Sequence, residues 1–282
     1  MIRPLLILFL LVACTFSAQA QKIEIIEPAI LECEYQKRMV TDTLDRENDY
    51  RTTNLKLRIG KQTSMFYAPE DFRWDSLSTN WDLKHQLAHE ITEKSNGSQS
   101  LWGNEKERIY KNYPTGKIRM YNHFSLMDWV CTEDWEKPEW ALLDSVKTVL
   151  DYSCQLAVSR YRGRTWYAWF TFDIPISEGP WKLCGLPGLI LEAYDEHKDY
   201  SFTAIGIRQQ NIPPVGIYDY SEYDWATTTR KKYNETWFKY IHEDIGAKMS
   251  AAYSSYGLNV KIDKNRKLPH RNYELMETDY HK

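Results

Sequence analysis

The sequence predicts an α+β fold. A single curved, mostly antiparallel β-sheet, bowl-like or half-barrel-like in shape, packs against one long and one shorter helix. Apolar and polar side chains alternate with a period of two more often than they follow a helical period. Turn-forming residues separate the alternating segments, as in an antiparallel meander. Few helices are expected, because apolar side chains recur at four-residue spacing in only two segments.

The strand predictions come from short segments with one apolar and one polar side. Residues 54–59 place Leu55, Leu57 and Ile59 on one face, and residues 117–121 repeat the alternation. Further strands, separated by turn signals, are predicted at residues 155–159, 164–173, 189–194 and 200–207. Because turn signals separate these strands, they are expected to form mostly an antiparallel meander.

Two longer segments have helical periodicity. Residues 81–93 carry Leu83, Leu87 and Ile91 at four-residue spacing, which predicts the shorter helix. Residues 223–247 carry a longer stripe, which predicts the longer helix and its packing on the sheet. The stripe consists of Trp225, Thr229, Tyr233, Trp237, Ile241 and Ile245.

The N-terminal residues have the features of a secretory signal peptide. Arg3 precedes an apolar run, and the small residues Ala18 and Ala20 fit a cleavage site. Residues 1–20 are therefore predicted to be removed, and residues 21–282 to form one domain. The protein is expected to be exported, either to the periplasm or out of the cell.

A lipid anchor is the alternative to simple cleavage. Residues 11–14 fit a lipobox, in which Cys14 would be lipidated and would hold the protein at the outer membrane. No later apolar stretch approaches the ~18 residues of a membrane-spanning helix, so no transmembrane span is predicted. The formal net charge of −3 gives no reason to expect a nucleic-acid partner.

Four cysteines follow the predicted cleavage site: Cys33, Cys131, Cys154 and Cys184. An even number in an exported chain is typical of a disulfide framework, and four thiols allow three pairings. Cys154 begins the strand that leads toward Cys184, so this pair is preferred while the other pairings stay open. No two cysteines have the short spacing that zinc sites usually show, so no metal is expected.

The strongest turn signal lies between an aromatic strand and a buried one. Glycine permits positive φ and proline holds φ near about −65°, so this segment can turn the chain tightly back into the sheet. We interpret it as a buried structural corner, and a docking surface for a partner or ligand is the alternative. The motif residues are Gly179, Pro180, Gly185, Leu186, Pro187, Gly188, Leu189 and Ile190.

Aromatic residues are concentrated beside this motif. Strand alternation places Trp166, Ala168 and Phe170 on one face, and Tyr167 and Trp169 on the other. Helix and loops would cover both faces, or one open face would accept an apolar, sugar or peptide ligand. The candidate binding residues are Trp166, Tyr167, Trp169, Trp181, Leu186 and Pro187.

Ionisable side chains provide the candidates for catalysis. His85 and His89 have the i, i+4 spacing of metal ligands, but no third ligand is identifiable, and we interpret them as a polar helix face. Four acids bracket the motif; we interpret them as solvated strand ends, with an acid–base pair as the alternative. They are Asp173, Glu178, Glu192 and Asp195. No nucleophile, phosphate-loop or dinucleotide motif is found, so no cofactor is expected.

Residues 185–190 have the sequence Gly-Leu-Pro-Gly-Leu-Ile, preceded by Ala-Trp-Phe at 168–170 and Ile-Pro-Ile at 174–176. In these features the chain resembles the GLPGLI family of Bacteroidetes envelope proteins. The resemblance extends from about residue 31 to residue 277, with Tyr273 at a position where the family commonly has Pro. It implies an exported protein, often encoded near outer-membrane TonB-dependent receptors, with no established activity or catalytic residues.

We therefore expect a non-enzymatic envelope protein that binds a ligand or partner and assists an outer-membrane uptake system. An envelope hydrolase with an acidic and histidine site is one alternative, and an envelope scaffold is another. The expected partner is an outer-membrane receptor or an apolar, sugar or peptide ligand. These expectations rest on the resemblance and the aromatic content, since fold class alone does not determine function.

Overall fold

The computed structural model describes residues 22–77, 80–94, 105–124, 127–220, 224–242 and 272–280. The predicted signal peptide and Cys14 lie outside these residues. Across the described segments, we find no helix that combines the length and the apolar character needed to cross a membrane.

Strands dominate the described residues, and three helices accompany them. The strands are β1 (Lys22–Glu27), β2 (Leu31–Val40), β3 (Tyr50–Ile59), β4 (Ser64–Tyr67), β5 (Arg108–Lys111), β6 (Lys117–Phe124), β7 (Met127–Asp134), β8 (Ala141–Val149), β9 (Tyr152–Tyr161), β10 (Arg164–Thr171), β11 (Leu189–Asp195), β12 (Tyr200–Arg208), β13 (Val215–Asp219) and β14 (Trp225–Thr228). The helices are α1 (Pro69–Ser76), α2 (Trp81–Lys94) and α3 (Arg230–His242). The fold is α+β and mainly β, as the alternation predicts.

Twelve of these strands form one large sheet, in the order β14-β7-β6-β5-β4-β3-β2-β12-β11-β10-β9-β8. β14 runs parallel to β7, and the other neighbouring pairs are antiparallel. The pair β2 and β12 lies at the centre and joins the N-terminal strands to those that carry the motif. β1 and β13 form a separate two-stranded sheet, so the expectation of a single sheet is wrong for these two strands.

The two helix predictions have different outcomes. α2 confirms a helix over residues 81–93. The prediction for residues 223–247 is wrong at its start, because β14 occupies this stretch and the helix begins at Arg230. Trp225 and Thr229 fit helical spacing, but β14 pairs along β7, and tertiary pairing outweighs a weak local pattern. Residues 243–247 lie outside the described part of the chain.

α1 is a helix that apolar periodicity does not reveal. Pro69 occupies its first turn, where the missing N–H needs no partner. Asp71 and Asp75 are buried, and both carboxylates pair with Arg108 on β5, with Asp71 Oδ2 2.9 Å from the guanidinium. Buried charge pairs, together with the packing of Phe72 against Tyr67 and Tyr218, therefore hold this helix on the sheet.

The four described cysteines are free, buried thiols, so the predicted framework and its Cys154–Cys184 pair are not formed. For the three strand cysteines the register gives a reason, because none of them lies opposite another on a neighbouring described strand. Their cross-strand neighbours are Leu57 and Ile207 for Cys33, Met120 and Thr228 for Cys131, and Lys147 for Cys154. Cys184 forms its backbone bridge with Glu178.

Iodoacetamide is expected to label none of these cysteines in the folded protein, and all four after denaturation without a reductant. Burial raises the pKa of the Cys33 thiol to about 12 and that of Cys184 to about 11, so neither forms the reactive thiolate near neutral pH. Peptide mapping by mass spectrometry measures the labelling at each site. Labelling that appears only after reduction would show that the thiols are oxidised.

Candidate functional site

The motif residues form the corner between β10 and β11, and backbone hydrogen bonds close this corner. The Ile190 N–H donates to the carbonyl of Glu178 at 3.0 Å, and the Leu189 N–H donates to that of Ile174 at 3.0 Å. The Tyr35 hydroxyl, on β2, donates to the Ile190 carbonyl at 2.6 Å. The end of the hexapeptide is therefore bonded into the centre of the sheet.

A buried lysine ties the same corner to β5. Lys111 is fully buried, and its Nζ donates to the carbonyls of Gly179 at 2.7 Å and Leu183 at 3.3 Å. Its ammonium also pairs with the Glu178 carboxylate. The expectation of a solvated strand end is therefore wrong for Glu178, which neutralises a buried charge.

Steric and backbone constraints explain two glycines of the corner. A Cβ on Gly188 would overlap the Thr171 carbonyl oxygen and lie 2.7 Å from the carbonyl carbon. Gly185 has φ of +95°, a conformation that L side chains rarely adopt. Trp181 also has a positive φ, 54°, which is unusual for a bulky residue. These constraints support the structural interpretation of the motif.

Lys182 extends from the corner into a buried ion cluster. Its Nζ pairs with Glu133 on β7 and with Glu277, and Arg230 at the start of α3 pairs with both carboxylates. Burial raises the pKa of Glu277, but Lys182 and Arg230 outweigh this and hold it at about 2. The cluster joins the motif, the sheet, α3 and the C-terminal residues 272–280.

Three of the six candidate binding residues are core residues. Trp166, Trp181 and Leu186 are each at most 2% exposed. The rings of Trp166 and Trp181 pack with their centroids 5.5 Å apart. Their aromatic and aliphatic surface therefore stabilises the sheet and the corner.

The other three candidates lie elsewhere. Tyr167 and Trp169 are half-buried on the opposite face of β10, as the alternation predicts. Tyr167 stacks on Tyr194 with ring centroids 5.6 Å apart, and Lys147 Nζ lies 4.6 Å from the Trp169 ring centroid. Pro187 is exposed at the corner. The six residues do not converge on one site.

The histidine pair lies on an exposed helix face. His85 and His89 are both exposed on α2, and His89 Nδ1 is 3.4 Å from the Glu93 carboxylate. This placement matches a polar helix surface. In the described segments, no three His, Cys, Asp or Glu side chains are arranged to hold a metal ion.

The remaining acids around the motif occupy separate environments. Asp195 is buried and accepts a hydrogen bond from Arg164 at 2.8 Å, so the expectation of a solvated strand end is wrong here also. Glu192 pairs with Lys147 at 2.6 Å, and Asp173 is exposed. Because Asp195, Glu192 and Glu178 each pair with a different base, these four acids supply no acid–base pair.

A cavity of about 180 Å³, which we call the central cavity, lies between the large sheet, α3 and residues 272–280. The sheet contributes Lys37, Met39, Arg51, Thr53, Asn122, His123, Phe124 and Tyr200. α3 contributes Tyr233, Asn234, Trp237, Tyr240 and Ile241. The other walls are Glu105, Lys106, Glu107, Trp181, Tyr273, Leu275, Met276 and Glu277. Trp181 is the one candidate binding residue among these lining residues.

Four aromatic side chains on one side of the central cavity form what we call the aromatic box. Phe124, on β6, packs against three residues of α3. Its ring centroid is 4.7 Å from that of Trp237, 5.6 Å from that of Tyr233 and 5.7 Å from that of Tyr240. The box combines apolar surface with the negative ring faces that attract cations.

A carboxyl group adjoins this box. The Tyr233 hydroxyl donates to Glu107 Oε1 at 2.8 Å and accepts from Asn122 Nδ2 at 2.8 Å. Burial and the nearby Glu105 carboxylate raise the pKa of Glu107 to about 7, against the opposing effect of Lys182. Glu107 therefore changes its charge near neutral pH.

Sequence patterns indicate only part of the central cavity. The stripe predicted for the long helix includes Tyr233 and Trp237, so periodicity identifies one wall. Glu105 and Glu107 lie in a polar stretch without periodicity, and their position becomes visible only when β6 and α3 pack beside them. The spacing of residues in a single sequence does not predict that these segments pack together.

The part of the chain that contains the motif matches a known family model. A family model described as a protein of unknown function (Porph_ging) matches residues 161–192. The matched stretch contains β10, the corner and part of β11. No curated protein matches the chain.

The chain is also similar to two structures of PNGF-II, one in space group P21 and one in C2. Their TM-scores are 0.48 and 0.47, each at 12% sequence identity over 74% of this chain. The chain spans about a third of those proteins, 33% and 32% of their lengths.

Proposed function

We propose that this protein is an exported, non-enzymatic binding protein of the cell envelope. In this proposal it holds a small ligand in the central cavity and assists an outer-membrane uptake system of the TonB-dependent receptor type. The observation that carries the proposal is the cavity itself, which combines aromatic rings and several charged groups in one concave site. Such a combination is typical of small-molecule sites. Export follows from the predicted signal peptide, with lipidation of Cys14 as the alternative.

The size of the cavity limits how much of a ligand it can enclose. A dry cavity of about 150 Å³ is known to hold benzene, so about 180 Å³ suits a ligand with a single ring and a small substituent. The polar groups on the walls would orient this substituent, while the aromatic box would contact the ring. A ligand of this size is consistent with cargo for an uptake system.

We also propose that the large sheet curves around the cavity like a bowl. β6 and β12 both line the cavity, although five inter-strand steps separate them in the sheet order. In a flat sheet, five steps of about 4.8 Å would place these strands about 24 Å apart. That separation is too large for one cavity of this volume, so in this proposal the sheet curves and brings β6 and β12 closer together.

An envelope hydrolase is a second candidate, favoured by one observation. Glu105 and Glu107 both line the central cavity, and a carboxyl with a pKa near 7 is suited to proton transfer. However, Glu105 pairs with Lys37, which leaves Glu107 as a single group rather than half of an acid–base pair. Binding is therefore the function that this geometry supports better.

Deleting the gene while keeping any neighbouring receptor gene intact is expected to impair uptake or envelope integrity. Wild-type protein should restore the function. A Thr53→Trp variant should fail, because Thr53 lines the cavity and an indole there would fill it. His85→Ala/His89→Ala, on the exposed face of α2, serves as the control and should restore the function fully. Restoration by Thr53→Trp, at equal protein levels, would refute a role for the cavity.

A further inference from the structure

We infer that the central cavity binds an organic ammonium cation, with the Glu107 carboxylate accepting a hydrogen bond from the ammonium and the aromatic box contacting the adjoining apolar group. The inference rests on the proposed function for its site, and adds the chemical class of the ligand. It follows from the charge pairing along the cavity walls, the position of the aromatic rings and the hydrogen bonds of Glu107.

Three charged side chains on the cavity walls already have an opposite charge beside them. Lys37 pairs with Glu105, and Glu277 pairs with both Lys182 and Arg230. Glu107 differs, because its hydrogen bond among the described residues comes from the neutral hydroxyl of Tyr233. Of the cavity carboxylates, Glu107 therefore has the greatest capacity for a further cationic partner.

The aromatic box adds recognition that a carboxylate alone does not provide. Tyr233 belongs both to the box and to the hydrogen bond with Glu107, so the rings and the carboxylate lie next to each other. Trp237 and Tyr240 stack with centroids 5.6 Å apart and present neighbouring ring faces. Ring faces attract organic cations, and an adjacent carboxylate selects those that still carry an N–H donor.

The hydrogen-bond chain through Tyr233 favours the ionised form of Glu107. Asn122 Nδ2 donates to the Tyr233 hydroxyl, which directs the hydroxyl proton toward the carboxylate. Both neighbours are buried, so this orientation is well defined. An ammonium ligand would approach Glu107 from the cavity side and donate a further hydrogen bond to its carboxylate.

Binding of an ammonium is expected to weaken as the pH falls through neutrality. Burial and Glu105 raise the pKa of Glu107 to about 7, and the protonated carboxyl attracts a cation less strongly. Affinity should fall by up to about tenfold per pH unit below that value. The charged or titratable groups facing Glu107 or lining the same cavity are Glu105, Lys37, Lys182, Tyr233, Arg51, Lys106, His123, Glu277, Tyr200, Tyr240 and Tyr273.

Calorimetric titration of the full-length mature protein with three ligands of similar size tests the inference. The ligands are benzylammonium, benzyl alcohol and benzoate, which differ mainly in charge. At about pH 8, benzylammonium is expected to bind at least about tenfold more tightly than the others. Equal or tighter binding of the alcohol would retain the cavity as a ligand site and overturn the ammonium class. Preferential binding of benzoate would do the same, and would point to Lys106 or Arg51.

Matched variants locate the interaction. Glu107→Gln keeps the size of the side chain and its acceptor for Tyr233, and should weaken benzylammonium about tenfold or more and remove the pH dependence. Glu196→Gln removes one negative charge from an exposed position and should change neither the affinity for benzylammonium nor its pH dependence. Tyr233→Phe removes the hydrogen bond that favours ionised Glu107. In this variant the pH midpoint of benzylammonium binding should therefore move upward.

Two results would overturn the inference without deciding the proposed function. The first is wild-type affinity for benzylammonium in folded Glu107→Gln. The second is an absence of binding by wild-type protein at about pH 8, where Glu107 is mostly ionised. The uptake assay with Thr53→Trp uses no chosen ligand, so its result stands independently of these titrations.

Discussion

Replacement of Gly188 by alanine is expected to cost about 3 kcal/mol of folding free energy, which is a large fraction of the stability of a typical domain. The added Cβ would overlap the Thr171 carbonyl oxygen, and its near neighbours are backbone atoms of β10 and the following residue. The backbone of a strand that pairs on both sides cannot move aside as a flexible side chain does. Urea denaturation measures the loss as a lower midpoint.

Gly206→Ala is the matched control for this substitution. Gly206 lies in β12 of the same sheet, and an added Cβ there has no neighbour within 4 Å. Its effect should stay within about 1 kcal/mol, because only the backbone preference changes. Equal midpoints for the two variants would contradict the steric account of the motif.

Replacement of Lys182 by methionine is expected to destabilise the protein by about 3–5 kcal/mol. Lys182 is fully buried between Glu133 and Glu277, and methionine fills similar space without the positive charge. Arg230 remains beside both carboxylates, but it would then face two negative charges with less compensation. Denaturation at neutral pH measures the effect.

Lys147→Met provides the comparison for a surface ion pair. Lys147 pairs with Glu192 at 2.6 Å, and its side chain is 34% exposed. Such pairs contribute about 0–1 kcal/mol, since water solvates both charges when the pair is broken. If Lys182→Met lost no more stability than Lys147→Met, the buried cluster would not be what joins the motif to the C-terminal residues.

Short-range patterns predict the strands well, because alternation depends on neighbours in sequence. β10 illustrates this, with Trp166, Ala168 and Phe170 buried and the intervening Tyr167 and Trp169 half-buried. The start of α3 illustrates the limit, because Trp225 satisfies a helical spacing and yet lies in β14, which pairs with β7. Pairing with a strand that is distant in sequence cannot be predicted from the spacing of neighbouring residues.

Cysteine parity and charge patterns have a similar limit. An even number of cysteines in an exported chain predicts disulfides, but pairing requires neighbouring positions that the strand register does not provide. Lys182 and Glu277 lie 95 residues apart in sequence, so their contact cannot be inferred from a charge pattern. The expectation that Glu178 and Asp195 are solvated is wrong for the same reason, because their basic partners lie on other strands.

The central cavity was the feature least accessible to sequence reasoning. Its walls come from strands on both sides of the sheet centre, from α3 and from residues 272–280. The sequence directs attention to the aromatic strand beside the motif, whereas most of the aromatic wall of the cavity comes from α3 and β6. The motif and the cavity meet at Trp181, which lines the cavity, and at Lys182, whose cluster includes Glu277.

Native mass spectrometry of the mature protein, purified gently from its own envelope, tests the central claim most directly. Wild-type protein is expected to carry a small, dissociable adduct that Thr53→Trp lacks, because the added indole fills the central cavity. A wild-type mass equal to that of the polypeptide alone, or an adduct retained by folded Thr53→Trp, would contradict the assignment of this cavity as the ligand site.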